Sequence, residues 1–166
     1  FTLIKTTVVK HTLEIEHDYD FVLIGISSHE KDYRFCWALN NKLKLELMKQ
    51  DSLEIKGKKQ TTPSYFSFFT FDDEDQYTEY SVIANFSESK ALAGNENTLF
   101  GTQDATEENE FLIPEHKQMN YFFVIRGELE DEEVEELMKQ IREIDIVLTT
   151  IRIDAKSLKS KQNLIF

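Results

Sequence analysis

Two stretches of this chain share one plan, and together they restrict the fold more than any other feature. Phe21-Val-Leu-Ile-Gly-Ile26 is apolar on both faces, as a central strand is, and a helical pattern follows it to about Asn41. Leu43, Leu45 and Leu47 then alternate with Lys42, Lys44 and Glu46, the pattern of a half-buried strand. Tyr121 to Ile125 repeats the doubly apolar run. After it, Val134, Leu137, Met138, Ile141 and Ile144 fall at i, i+3, i+4, i+7 and i+10 and describe an amphipathic helix. Val147, Thr149, Ile151 and Ile153 form one face of a further strand. Two strand-helix-strand units, 21–48 and 120–153, that cross over the same sheet face predict an α+β fold. It is a largely antiparallel sheet with two amphipathic helices packed on it, a ferredoxin-like core of two βαβ units with inserted β-hairpins. With 166 residues the default is a single domain, 1–166, large enough to fold without disulfides or a structural metal.

Local signals fill in the rest. Ser27-Ser-His-Glu30 has the form of a capping box for a helix over His29–Asn41, with Tyr33, Cys36, Trp37 and Asn40 on one stripe and Phe35 and Leu39 flanking it. Glu130-Asp-Glu-Glu133 suits the positive end of the second helix's dipole. Leu53 and Ile55 read as a hairpin partner of the leucine strand, beyond the turn at 49–52. Tyr65-Phe-Ser-Phe-Phe-Thr-Phe71 carries five aromatics in seven positions. It pairs across the acidic turn Asp72–Gln76 with Tyr80, Val82, Ala84 and Phe86, which alternate with Glu79, Ser81 and Asn85. His11 to Glu16 alternates weakly, as a strand would. Residues 87–110 are polar and aperiodic, a long loop for which mobility is favoured over a lid or binding role.

Charge narrows the function classes. Thirty-one acidic against nineteen basic residues give a formal −12, the wrong sign for binding nucleic acid or an anionic membrane surface, while a basic protein partner is allowed. No apolar run approaches the ~18 residues of a membrane span. The start, Phe1-Thr-Leu-Ile-Lys5, lacks a secretory layout, and an initiator Met is expected to have been lost from it. One cysteine, Cys36, fits a reducing compartment, so the cytoplasm is the expected location.

Chemistry is hard to place. The best metal cluster, His17 with Asp18 and Asp20, lies in a turn where such residues serve backbone bonding, and the acidic loop 72–75 lacks the glycine and distant glutamate of a calcium loop. Cys36, beside Trp37 on the predicted core stripe, reads as an inert thiol. There is no Gly-x-Ser-x-Gly, and glycines 25, 57, 94, 101 and 127 are too scattered for a phosphate loop. Gly25 instead marks a bulge or a close approach within a strand. Neither catalytic nor metal-binding residues nor a cofactor are assigned, and catalysis is disfavoured.

The stretch Phe111-Leu-Ile-Pro-Glu-His-Lys-Gln-Met-Asn-Tyr121 and the ending Leu158-Lys-Ser-Lys-Gln-Asn-Leu-Ile-Phe166 resemble the bacterial IPExxxVDY proteins. Ile113, Pro114, Glu115 and Tyr121 stand where that signature puts them; Met119 and Asn120 replace its Val and Asp. The resemblance implies no established activity. Candidate partner contacts are Ile113, Pro114, Glu115 and Tyr121 in the signature and Leu164, Ile165 and Phe166 in the tail at 158–166. For the signature a structural reading is favoured: Pro114 as a strand stop, Glu115 accepting from the turn amides that follow it, and Tyr121 as a core ring with its hydroxyl bonded. The tail either docks on its own sheet, the favoured reading, or extends into another protein's groove, and two copies could exchange tails to form a homodimer. The expected function is a non-enzymatic protein-interaction domain, adaptor or regulator, with an unidentified protein partner for which a basic surface is electrostatically allowed. The alternative is a small-molecule-binding or enzymatic domain with a pocket under loop 87–110.

Overall fold

The structure, a computed structural model, describes residues 18–57, 62–88 and 111–166. The strand expected at His11–Glu16, His17 of the expected metal cluster, and nearly all of loop 87–110 lie outside the described residues, whereas Asp18 and Asp20 of that cluster lie within them. Among the described residues, eight strands and two α-helices run in the order β1 (Val22–Ser27), α1 (Asp32–Leu43), β2 (Met48–Lys49), β3 (Leu53–Ile55), β4 (Ser64–Phe66), β5 (Phe68–Asp73), β6 (Thr78–Ala84), β7 (Tyr121–Arg126), α2 (Asp131–Arg142) and β8 (Thr149–Ile153). The main sheet has the order β2-β5-β6-β7-β1-β8 with every neighbour antiparallel, and β3-β4 forms a small second sheet. This is the expected α+β fold. The order β6-β7-β1-β8, with α1 after β1 and α2 after β7, is the ferredoxin-like arrangement, and β5 and β2 extend it at one edge.

The first unit closes differently from the expectation. The strand that returns beside β7 is β6, not 43–48. Leu43 ends α1, Lys44 adopts a left-handed φ of 56°, and only Met48–Lys49 joins the sheet. The Asn40 side chain donates to the Leu47 carbonyl (3.1 Å) and accepts from the Leu47 amide (2.9 Å), standing in for a strand neighbour. Leu47 is therefore buried without belonging to a strand, and alternating leucines are satisfied by extended chain folded back on the helix.

Helix α1 also starts later than predicted. Its N-cap is Lys31, with no side-chain cap bond, and Ser28 Oγ accepts only from the Glu30 amide (3.3 Å). The capping box occurs at α2 instead, where Glu130 and Glu133 each accept from the other's backbone amide. The aromatic run 65–71 is split at Ser67. Its first part pairs with β3 and its second with β6, so Leu53 and Ile55 partner Phe66 and Ser64 rather than the leucine segment.

Both faces of the main sheet are covered, and this is why β1 and β7 are apolar throughout. On one face Ile24, Ile26, Phe123 and Ile125 pack under Phe35 and Leu39 of α1 and Val134, Met138 and Ile141 of α2. On the other, Leu23, Phe122 and Val124 lie under Leu112, Ile113 and Met119, with Phe66 from the hairpin and Leu158 and Leu164 from the tail. Burying each such side chain stabilises the fold by about 1.5–3 kcal/mol. Gly25 sits beneath this second layer. A Cβ there would lie 2.8 Å from Met119 Cγ and 3.0 Å from Ile153 Cδ1, so the glycine admits a close approach, one of the two roles expected of it.

Candidate functional site

The signature segment and the C-terminal tail, which the sequence presents as separate features, are one physical unit. Pro114 opens a short 3₁₀ turn, Pro114–His116, and places Glu115 beside the tail. Glu115 Oε1 accepts from the amides of Lys159 (2.6 Å) and Ser160 (2.9 Å), and Oε2 accepts from Ser160 Oγ (2.6 Å). Its partners are thus 44 and 45 residues away, not the turn amides that follow it. Asn163 Nδ2 donates to the Leu112 carbonyl (2.9 Å), and Leu164 is fully buried in the second core. Beyond it, the Arg126 guanidinium donates to the Leu164 carbonyl (2.9 Å) and lies over the rings of Phe21 (5.0 Å) and Phe166 (4.6 Å). Phe166 meets Phe68 edge to face at 4.9 Å. The tail is docked on its own domain.

Of the candidate partner-contact residues, Ile113, Tyr121 and Leu164 are therefore buried in the domain's own cores, Ile165 is half-buried, and Pro114, Glu115 and Phe166 are exposed. Tyr121 stacks on Phe35 at 4.3 Å and donates its hydroxyl to the Glu30 carbonyl (2.5 Å), which ties β7 to the turn before α1. Burial, then the Asp32 carboxylate, push its phenol well above the ordinary value. Asn120 Oδ1 accepts from the Ser28 amide (2.9 Å) and Ser27 Oγ (3.3 Å). Only the acceptor oxygen is used, so Asn120→Asp is expected to change unfolding free energy by no more than about 0.5 kcal/mol, whereas Asn120→Leu should lose about 2 kcal/mol in urea titration.

Burial raises the pKa of Glu115, but the Ser160 hydroxyl and the surrounding amides outweigh it and hold the carboxyl below its ordinary 4.5. A depressed folded-state value means that this clamp contributes stability above 4.5 and loses it as the pH falls through the lower value. The amide resonances of Lys159 and Ser160 are expected to titrate together with a midpoint below 4.5, and Glu115→Gln should abolish that titration. A midpoint at or above 4.5 would contradict the clamp.

A second polar cluster joins α1 to the sheet edge. Asp32 Oδ2 receives the Ser67 hydroxyl (2.5 Å) and Lys49 Nζ (2.9 Å), and Lys49 also donates to Ser67 Oγ (3.2 Å). Burial opposes the Asp32 charge, yet the Ser67, Lys49 and Tyr33 bonds prevail and keep the carboxyl below the usual range. Ser67 is buried, so the cluster fastens the β4–β5 break to the start of α1. Cys36 is buried too, and burial followed by Asp32 pushes its thiol up to about 12, leaving it protonated at neutral pH.

The pocket expected under loop 87–110 lies outside the described residues. A cleft of about 560 Å³ opens elsewhere, lined by Tyr19, Phe21, Gly127, Arg152, Ile153 and Lys156 among others. Its cations are already paired, Lys156 with Asp20 and Arg152 with Asp131. Among the described residues no group of three or more His, Cys, Asp or Glu side chains is placed to hold a metal ion, and no helix is long and apolar enough to cross a membrane.

The feature that sequence reasoning missed is on α1. Its buried stripe is Phe35, Cys36 and Leu39, continued by Leu43, so Tyr33 and Trp37, expected in the core, are turned outward with 64% and 68% of their surface exposed. The i, i+4, i+8 spacing of Phe35, Leu39 and Leu43 held the signal, and ending the helix at Asn41 concealed it. Compared with known proteins, the chain matches no family model, no curated protein and no solved structure.

Proposed function

We propose that this domain works by protein contacts, as a cytoplasmic adaptor or regulator rather than an enzyme. The observation that carries the reading is the pair Tyr33 and Trp37, one helical turn apart on the same flank of α1 and largely exposed. Large aromatic rings in water are costly to leave uncovered and are enriched at the energetic centres of interfaces. The groups that would serve chemistry are engaged in holding the fold: Cys36 is buried, and Asp32, Ser67 and Lys49 satisfy one another. The exposed acids of α2 favour a basic protein partner, and a net −12 disfavours nucleic acid and anionic membranes.

The resemblance to the IPExxxVDY proteins is part of the same proposal. Its Ile-Pro-Glu and its tail then serve to close the second face of the sheet, leaving contacts to the helical face.

Affinity capture with the intact chain and with the Tyr33→Ala/Trp37→Ala variant, followed by mass spectrometry, tests the reading. Both side chains are exposed, so the variant is expected to fold, to within about 0.5 kcal/mol of the parent. A protein retained by the parent and lost with the variant supports the proposal. Retention of no protein, together with a small molecule held through purification, would favour the small-molecule alternative.

A further inference from the structure

Taking the flank of α1 as a contact surface, as proposed above, we infer that its occupant is a second copy of this chain, with α1 of each copy seated on α2 of the other. The two helices pack side by side on one face of the sheet and are bridged by Lys42 to Glu143 at 2.8 Å. Their exposed surfaces carry opposite charge. From Lys31 to Lys44 the α1 segment has four cations, Lys31, Arg34, Lys42 and Lys44, against one acid, Asp32, in a chain whose total is −12. Asp32 is already engaged by Lys49 and Ser67, while Arg34 has only a long, exposed pairing with Glu30 at 3.6 Å, which a closer acid can replace.

The start of α2 is the reverse. Glu132 and Glu135, at i and i+3 on the helix, are exposed, as is Glu128 in the loop before it, and none has a cation partner among the described residues. A two-fold axis parallel to the helical layer, running between the two copies, brings the basic aromatic flank of one copy onto the acidic start of α2 of the other, and symmetry makes the contact twice. Arg34, one turn before Trp37, and Lys44, at the C-cap of α1, then face Glu132 and Glu135, while the indole loses its water. Two copies with the same net charge repel at long range, so association depends on this local match and on burial of the rings.

Trp37 is the single tryptophan of the chain, so it reports its own burial. Sedimentation equilibrium and tryptophan emission are measured from micromolar to submillimolar protein. Dimer mass should appear together with a blue shift of the emission. Glu132→Lys/Glu135→Lys in one variant, and Arg34→Glu/Lys44→Glu in another, should each weaken self-association by about tenfold or more, because each makes both contacts like-charged. An equimolar mixture of the two variants restores both matches and should recover a mixed dimer.

All four residues are exposed, and far-ultraviolet circular dichroism checks that each variant is folded. Monomer mass throughout, a dimer indifferent to both charge reversals, or a mixture that fails to pair would overturn the inference. A monomer that still captures another protein through Tyr33 and Trp37 leaves the contact function standing and removes only self-association.

Discussion

Asn85→Asp, a change of one side-chain nitrogen to oxygen, is expected to destabilise the domain by about 4 kcal/mol at neutral pH. Asn85 is fully buried, and its amide is used in full. Oδ1 accepts from the Ile113 amide (2.9 Å), and Nδ2 donates to the carbonyls of His116 (2.9 Å) and Met119 (2.8 Å). Its backbone bonds Asn120 and Leu112 as well. One residue at the end of β6 thus holds the whole covering segment 112–120 on the sheet. A carboxylate in its place would keep the bond from Ile113 and oppose two carbonyl oxygens with no proton to give.

Burial and those oxygens would raise the introduced group's pKa in the folded state above an unfolded value of about 3.9. The deficit should therefore grow as the pH rises past that value and shrink in acid, where a protonated carboxyl can donate to one carbonyl. Urea titrations of parent and variant at neutral and acid pH measure both effects. Equal stability at neutral pH would mean that the segment is held by something other than this amide.

The second large effect is at the tail. Leu164→Ala is expected to cost about 3 kcal/mol, since it empties a fully enclosed site between the sheet and the signature segment. Removing the residues after Ser160 should cost more. It also deletes the bond from Asn163 to Leu112, takes away the Leu164 carbonyl and Phe166 ring that Arg126 engages, and opens the second core to water. That is a large share of the roughly 5–15 kcal/mol that such a domain has in total. A partner lost on truncation would then report unfolding rather than a missing contact. Substitutions of Tyr33 and Trp37, exposed on the outer flank of α1, are the cleaner probe of binding. Thermal melts of the parent, Leu164→Ala and the truncated chain should rank in that order, and a truncated chain as stable as the parent would show that the tail is not part of the fold.

Several elements were legible in the residues themselves. The doubly apolar runs became β1 and β7, paired at the centre of the sheet, and the i, i+3, i+4, i+7 series became α2 with Val134, Met138 and Ile141 inward. The hairpin β5–β6 formed around the acidic turn. Other readings failed where one local pattern had two solutions. The stripes through Trp37 and through Leu39 are both helical, and which one faces the sheet depends on where α1 ends. The Ser81 and Asn85 side of β6 reads as an outer face, yet both residues are buried, because the signature segment and tail cover it.

Periodicity is a property of neighbours along the chain, and that is why this sequence by itself specified two helices, an antiparallel sheet and a tail ending in apolar residues. What lay beyond it were the pairings between distant segments: β6 rather than the leucines beside β7, Glu115 with Ser160, Asn85 with Ile113. Those bonds use polar atoms that any of many partners could satisfy. Only the packing of the second layer on the sheet, which fixes the few within reach, could select among them.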